Sequence, residues 1–365
     1  MKARLDRLEV LRAFACLGVF TFHAYITLLG ACSVSIFIIL SGFLLTYNGL
    51  DRADSLPRGF KGCALYSFNK MKKLYPLYFL TLLVLALRIF LLAPENPDME
   101  QVAIFQKQFV LCVLLVQSWV PDTNYCFSFN TVGWYLSTSI VLYFCFPAIL
   151  RRVKRIRSTG RAIAGMAAIY VGMSVFAALA TALYVSRASA AWPEPGNFQQ
   201  WLSYVFPIFR LGDFTIGCIL GWIFCEHAGK KEVSTAAATA LELAGIALLA
   251  VCQFFFSKGM VPDFFMYTMH FIPCTCILVY SFALGRGRIS RILNVRPVRV
   301  IAGYSVEIFL IHFAVIKYAS PFSTLLPLRY ELQQLVFICF TFGLTLAAVI
   351  IWRRLSRRIP VLSLR

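Results

Sequence analysis

The run VLRAFACLGVFTFHAYITLL, residues 10–29, decides the fold. As a helix rising 1.5 Å per residue it reaches across the ~30 Å hydrocarbon core of a bilayer. Its basic side chains are Arg12 and His23, both held inside an otherwise apolar stretch. Runs of the same kind recur almost end to end, at 33–47, 74–92, 105–120, 132–150, 163–185, 204–225, 239–256, 264–284, 300–318 and 335–352. With 60% hydrophobic and only 14% charged residues, the 365-residue chain cannot be wrapped around one aqueous core. The expected fold is an all-α polytopic membrane protein, one transmembrane domain over residues 1–365.

Charge sets the expected orientation, because Lys and Arg collect in short cytoplasmic loops. The basic clusters are Lys2/Arg4/Arg7, Arg52 to Lys73, Arg151 to Arg161, Lys230/Lys231, Arg286 to Arg299 and Arg353 to Arg365. If all eleven stretches crossed, the cluster at Arg151 would face away from the first two. Demoting 105–120, which is short and holds Gln106, Lys107 and Gln108, to a re-entrant or interfacial helix repairs this. The expectation is therefore about ten transmembrane helices plus one that does not span, with both termini cytoplasmic.

The net charge of +19 is thus a topology signal, attracting anionic headgroups or a phosphorylated cosubstrate. It does not describe a nucleic-acid site, which needs a folded basic domain. The 12 cysteines lie mainly in apolar stretches without a Cys-x-x-Cys pair, so no metal is expected. Cys32 and Cys126 fall toward the outer face, where a disulfide is chemically permitted.

Ionisable groups inside a bilayer cost roughly 2.5–3.5 kcal/mol each on insertion scales, so those present ask for a reason. Arg12 and His23 are eleven residues apart. Eleven steps of ~100° return to within roughly 20° of one face, ~16 Å further along the axis. Both then look into one groove. A guanidinium near headgroup depth can hold a phosphate bidentately, and a deep neutral imidazole can act as general base. A cosubstrate with phosphates at one end and a thioester at the other, such as an acyl-CoA, fits that separation. The plainer alternatives are a snorkelling Arg12 and a His23 that only bonds a neighbouring helix.

These residues carry a resemblance. Leu5-Asp6-Arg7-Leu8-Glu9-Val10-Leu11-Arg12-Ala13 followed by His23 resembles the Arg-x10-His first helix of the acyltransferase-3 family of membrane O-acyltransferases. Residues 33–43, ending Leu40-Ser41-Gly42-Phe43, are similar to its second-helix signature, with Ser33 in place of Gly. Lys70-Met71-Lys72-Lys73-Leu74-Tyr75-Pro76 resembles its Arg-x-x-Arg-hydrophobic-Tyr-Pro segment, with lysines for arginines. The stretches 207–217, with Arg210 and Asp213, and 305–312, ending at His312, fit later family helices in order. After Trp134, Ser139 stands where many members have Glu.

The resemblance implies an enzyme of the bacterial cytoplasmic membrane that moves an acyl group, acetyl first, from cytoplasmic acetyl-CoA to a hydroxyl of an extracytoplasmic glycan or lipid-linked sugar. It implies His23 and Arg12 as catalytic residues, and Arg12, Lys70 and Lys73 as holding the CoA phosphates, unless the lysines are only topology anchors. Ser41, Gly42, Trp134, Arg210 and His312 are candidates for the acceptor side. Each has a structural alternative: close helix packing for Gly42, neutralisation by Asp213 for Arg210, interfacial anchoring for Trp192 and Trp201 at the outer rim. Glu307 and His312 do not share a helix face, and His270 reads as packing. A transporter or flippase would also show ten crossings and intramembrane charge, but no inverted repeat is visible. Oligomeric state stays open.

Overall fold

The computed structural model describes residues 5–94, 98–187, 194–227, 233–322 and 329–358, which are helical with no strand among them. The longer helices are α1 (Leu8–His23), α2 (Gly30–Gly49), α3 (Gly59–Met71), α4 (Tyr75–Leu91), α5 (Met99–Val113), α6 (Gly133–Lys154), α7 (Thr159–Arg187), α8 (Pro207–His227), α9 (Thr235–Ser257), α10 (Ile272–Leu284), α11 (Arg296–Ala319) and α12 (Tyr330–Arg358).

At the centre α2 crosses α8 with the two backbones in contact. A Cβ on Gly42 would stand 2.3 Å from the Phe214 carbonyl oxygen, and one on Gly217 2.3 Å from that of Ile39. Such small-residue contacts let helices approach where lipid removes the usual hydrophobic drive. Gly42, a candidate for the acceptor side, therefore serves the crossing instead. Around this pair, α7, α9 and α12 keep Phe176, Leu179, Leu243, Phe254, Phe340 and Ile351 exposed. An apolar girdle of this kind suits lipid and not water.

Among the described residues, length and apolar composition let seven helical segments cross a membrane: Gly30–Ser55, α6, α7, Gly196–His227, α9, Arg296–Phe322 and α12. The pair α3 and α4, bent by 62°, would make an eighth. The expected count of about ten is not reached, and the shortfall has local causes. In the first stretch, α1 stops at His23. Tyr25 adopts φ +61°, and the N–H groups of Ile26 and Thr27 fold back onto the Thr21 carbonyl. The stretch at 264–284 is broken before α10 at Tyr267–Thr268, leaving the shorter apolar helix Met269–Leu284. The helix expected not to span is α5, 15 residues long and outside the spanning set, with the Asp98 carboxylate accepting from the Glu100 N–H at its N-terminus.

The described basic clusters meet at one end of the bundle. Arg151 donates to the Pro57 carbonyl at 3.1 Å, Lys154 pairs with Asp54, and Arg286 reaches the Val233 carbonyl at 3.4 Å. Glu307 pairs with Arg353 at 2.5 Å, away from His312. Lys2, Arg4, Lys230, Lys231 and the residues after Arg358 lie outside the described residues. Cys32 and Cys126 are both free thiols, each turned toward a nearby backbone carbonyl, so the permitted disulfide is not formed.

Candidate active site

Two cavities are stacked along the same helices. The larger, about 610 Å³, is lined by Val19 and His23 of α1, Val34 of α2, Trp134 of α6, and Phe309 and Lys317 of α11, with Tyr204 across from them. The left-handed Tyr25 sends Ile26, Thr27 and Leu28 across its rim. A non-glycine residue in that conformation is strained, and the surrounding structure must hold it there.

His23 sits in a defined hydrogen-bond chain. Its Nδ1 lies 3.1 Å from the Val19 carbonyl and 3.1 Å from Nε2 of His312, while His312 Nδ1 lies 2.9 Å from the Ile308 carbonyl. A carbonyl only accepts, so both Nδ1 atoms carry hydrogen. His312 Nε2 then accepts from His23, and His23 Nε2 keeps its lone pair. The His312 ring is buried behind His23 rather than in the cavity wall, so it meets the imidazole and not an acceptor. Lys317, whose Nζ stands 3.4 Å from the Tyr25 hydroxyl, adds a cation to the wall.

The second cavity, about 400 Å³, is lined by Arg12, Phe37, Ser41, Asn48, Leu74, Tyr135, Tyr143 and Phe309, among others. Arg12 and Ser41 therefore share a site, with Tyr143 in the same wall. The α3/α4 bend brings Leu74 into the wall and leaves Lys70 and Lys73 exposed beside it, Lys70 over the Tyr66 ring at 5.5 Å. The lysines stand next to the cavity and do not line it. Arg12 and His23 accordingly face two chambers, not the single open groove expected from their spacing.

Arg210 is fully buried, 2.8 Å from Asp213, and bonds Thr268, whose hydroxyl in turn reaches the Ser203 carbonyl. Those carbonyls are released by a wide π-helical turn at Trp201–Val205, and Thr138 binds that of Val205 at 2.8 Å. The turn carries Tyr204 into the larger cavity, where it packs on Trp134 at 4.7 Å between ring centres. Arg210 thus supports the wall from behind and lines neither cavity, contrary to its acceptor-side expectation. Trp201 is buried and donates to the Ser118 carbonyl at 3.0 Å, so it presents no free face at the rim; Trp192 lies outside the described residues. Ser139 bonds the Tyr135 carbonyl of its own helix at 2.7 Å, and His270 the Cys252 carbonyl at 2.7 Å.

Sequence reasoning missed Phe37, Tyr135, Tyr204, Phe309 and Lys317. Aromatic residues in apolar runs carry no distinguishing mark, and Lys317 sits at a helix end where a lysine is ordinary. Asn130, donating to Thr81 at 2.8 Å and to the Leu310 carbonyl at 3.1 Å, was also missed. A buried amide among apolar neighbours was the available signal.

The acyltransferase-3 family profile, described as an acyltransferase domain, matches residues 5–353. Acyltransferase MdmB of Streptomyces mycarofaciens is 29% identical over 335 residues, covering 86% of this chain and 80% of the relative. O-acetyltransferase OatA of Staphylococcus aureus is 21% identical over 340 residues, covering 87% of this chain and 51% of the relative, so the chain spans about half of OatA's length. No solved structure matches the chain. Since the profile runs from before α1 to the Arg353 that pairs with α11, taking in both cavities, the chain belongs to the acyltransferase-3 family of membrane acyltransferases.

Proposed function

We propose that the chain transfers an acyl group, acetyl in the first instance, from acyl-CoA bound at the Arg12 cavity to a hydroxyl of a glycan acceptor in the His23 cavity. The observation that carries this reading is the hydrogen-bond chain from the Ile308 carbonyl through His312 to His23, which leaves Nε2 as a base on a cavity wall. Nε2 takes the acceptor's hydroxyl proton as its oxygen attacks the thioester carbonyl. The C–S bond breaks, and the CoA thiolate leaves with that proton. The Nδ1–H bond to His312 strengthens while the imidazole is charged, so the positive ring is held without a carboxylate. Direct transfer is the route these groups support.

Arg12 holds a CoA phosphate from inside the smaller cavity, with Lys70 and Lys73 adding charge beside it. The basic end is cytoplasmic by the positive-inside rule, which places acyl-CoA on its supply side and both termini inside. The larger cavity lies further along α1 from that end, on the side we assign to exopolysaccharide, O-antigen or lipid-linked sugar in a bacterial cytoplasmic membrane. Trp134 offers the aromatic face a pyranose can pack against. The name of OatA, an O-acetyltransferase, supports acetyl and an oxygen acceptor.

The purified protein in lipid nanodiscs, given acetyl-CoA and a hydroxylated glycan, should release free CoA thiol and yield O-acetylated product by mass spectrometry. His23→Ala should lower both on the order of 10²–10⁴-fold. Equal turnover by His23→Ala and the parent would overturn the assignment.

A further inference from the structure

The two cavities are distinct spaces that share one wall residue, Phe309. Between them stand three rings, Phe37 of α2, Tyr135 of α6 and Phe309 of α11. Their centres are 6.4 Å (Phe37 to Tyr135), 6.0 Å (Phe37 to Phe309) and 5.3 Å (Tyr135 to Phe309) apart, all edge to face at 63–76°. Phe309 lines both cavities. On three helices the chain passes from one chamber to the other across this layer: Val34 lines the larger and Phe37 the smaller, Trp134 the larger and Tyr135 the smaller, His23 the larger and Arg12 the smaller. The rings therefore form a septum across the one route along α1 from guanidinium to imidazole.

The geometry points to this septum, with Phe309 as its movable ring, as the element that sets acyl-chain length. The inference rests on the donor path proposed above and adds what the path admits. A thioester bound at Arg12 must bring its carbonyl past the rings to reach His23 Nε2. Phe309, packed on Phe37, Tyr135 and His312, is the ring of the three with a cavity on each side, whereas Tyr135, packed against Phe309, Phe37 and Trp134, lines the smaller cavity alone. A two-carbon acyl group needs only a brief rotation of one ring. A long chain must keep the ring displaced while it threads, giving up the edge-to-face contacts throughout. Selection for short acyl groups follows from packing alone, with no polar group reading the chain.

The test compares the parent protein with Phe309→Leu and Phe309→Ala in nanodiscs, using acetyl-CoA, butyryl-CoA and octanoyl-CoA. CoA thiol release and the shift in melting temperature caused by each ester are both recorded. The parent should favour acetyl-CoA, and the octanoyl-to-acetyl turnover ratio should rise at least tenfold in Phe309→Ala and by an intermediate amount in Phe309→Leu. An unchanged ratio in variants that melt like the parent overturns the septum, as does parental turnover of octanoyl-CoA at the acetyl-CoA rate. If the parent turns over no ester, the transfer reading fails, and the melting shifts decide the septum separately. Stabilisation by octanoyl-CoA that grows on opening position 309 supports it, and equal shifts in all three proteins overturn it.

Discussion

The two cavities differ less in size than in how their walls are held. Around His23 the wall is tied by hydrogen bonds that cross between elements: His23 to His312, Trp201 to Ser118, Asn130 to Thr81 and Leu310, Thr138 to Val205. Around Arg12 the wall includes Leu40, Leu44, Leu45, Leu74, Leu136 and Leu310 beside the polar Ser41, Asn48, Tyr135, Tyr143 and Ser305. A general base must be held in orientation and tautomer, so fixed bonds belong where chemistry occurs. A flexible phosphate-bearing cosubstrate asks for a cation and room to move. The contrast is the one expected if, as proposed, the His23 chamber catalyses and the Arg12 chamber binds the cosubstrate.

The sharpest way to break that contrast is His23→Ala. Turnover should fall on the order of 10²–10⁴-fold, the usual contribution of a general base, while acyl-CoA binding by calorimetry stays intact. Lost binding would mean that the chambers are not functionally separate. His312→Ala should lower kcat by roughly a hundredfold, less than loss of the base itself, because the His23 Nδ1–H is then held by the Val19 carbonyl alone. His312→Gln, whose amide oxygen can accept from Nδ1–H, should recover part of the loss; equal defects in the two variants would make His312 mere packing.

Arg12→Ala tests the other chamber. It should raise KM for acyl-CoA by about tenfold with kcat kept, the scale of a hydrogen bond to a charged group. Arg12→Lys should restore only part, since the bidentate fork is lost. A fall in kcat alone would move Arg12 into the chemistry. Gly42→Ala should cost about 1–3 kcal/mol of stability, read as a lower melting temperature in detergent, because its Cβ would meet the Phe214 carbonyl oxygen. Gly303→Ala, where a Cβ meets nothing within 4 Å, is the control. The smallest effect belongs to Lys70→Gln with Lys73→Gln, less than about threefold in KM, as for exposed charges in high dielectric. A tenfold rise would bring both lysines into the donor site.

Much of this was legible without coordinates. Apart from the interrupted runs at 10–29 and 264–284, the helices lie where the apolar runs place them, since backbone groups in lipid must be satisfied within each segment. Arg12, His23, Ser41 and Trp134 all reach cavity walls. What was not legible depends on which segments touch. The ~16 Å and roughly 20° between Arg12 and His23 are properties of one helix. The rings that divide the space between them come from α2, α6 and α11, and no local pattern reports that three aromatic residues from positions 37, 135 and 309 converge.

His312 shows the same division. By itself the sequence determined that an imidazole lies deep in an apolar helix and needs a reason to be there. Only the tertiary structure decided the reason, by bringing α11 against α1 so that one ring accepts the proton-bearing nitrogen of the other. Membrane class, helix positions and the presence of intramembrane bases follow from local composition and period, because lipid solvates each segment on its own terms. The separation of the interior into two chambers does not, because it is made of contacts between residues hundreds of positions apart, and those exist only once the bundle has packed.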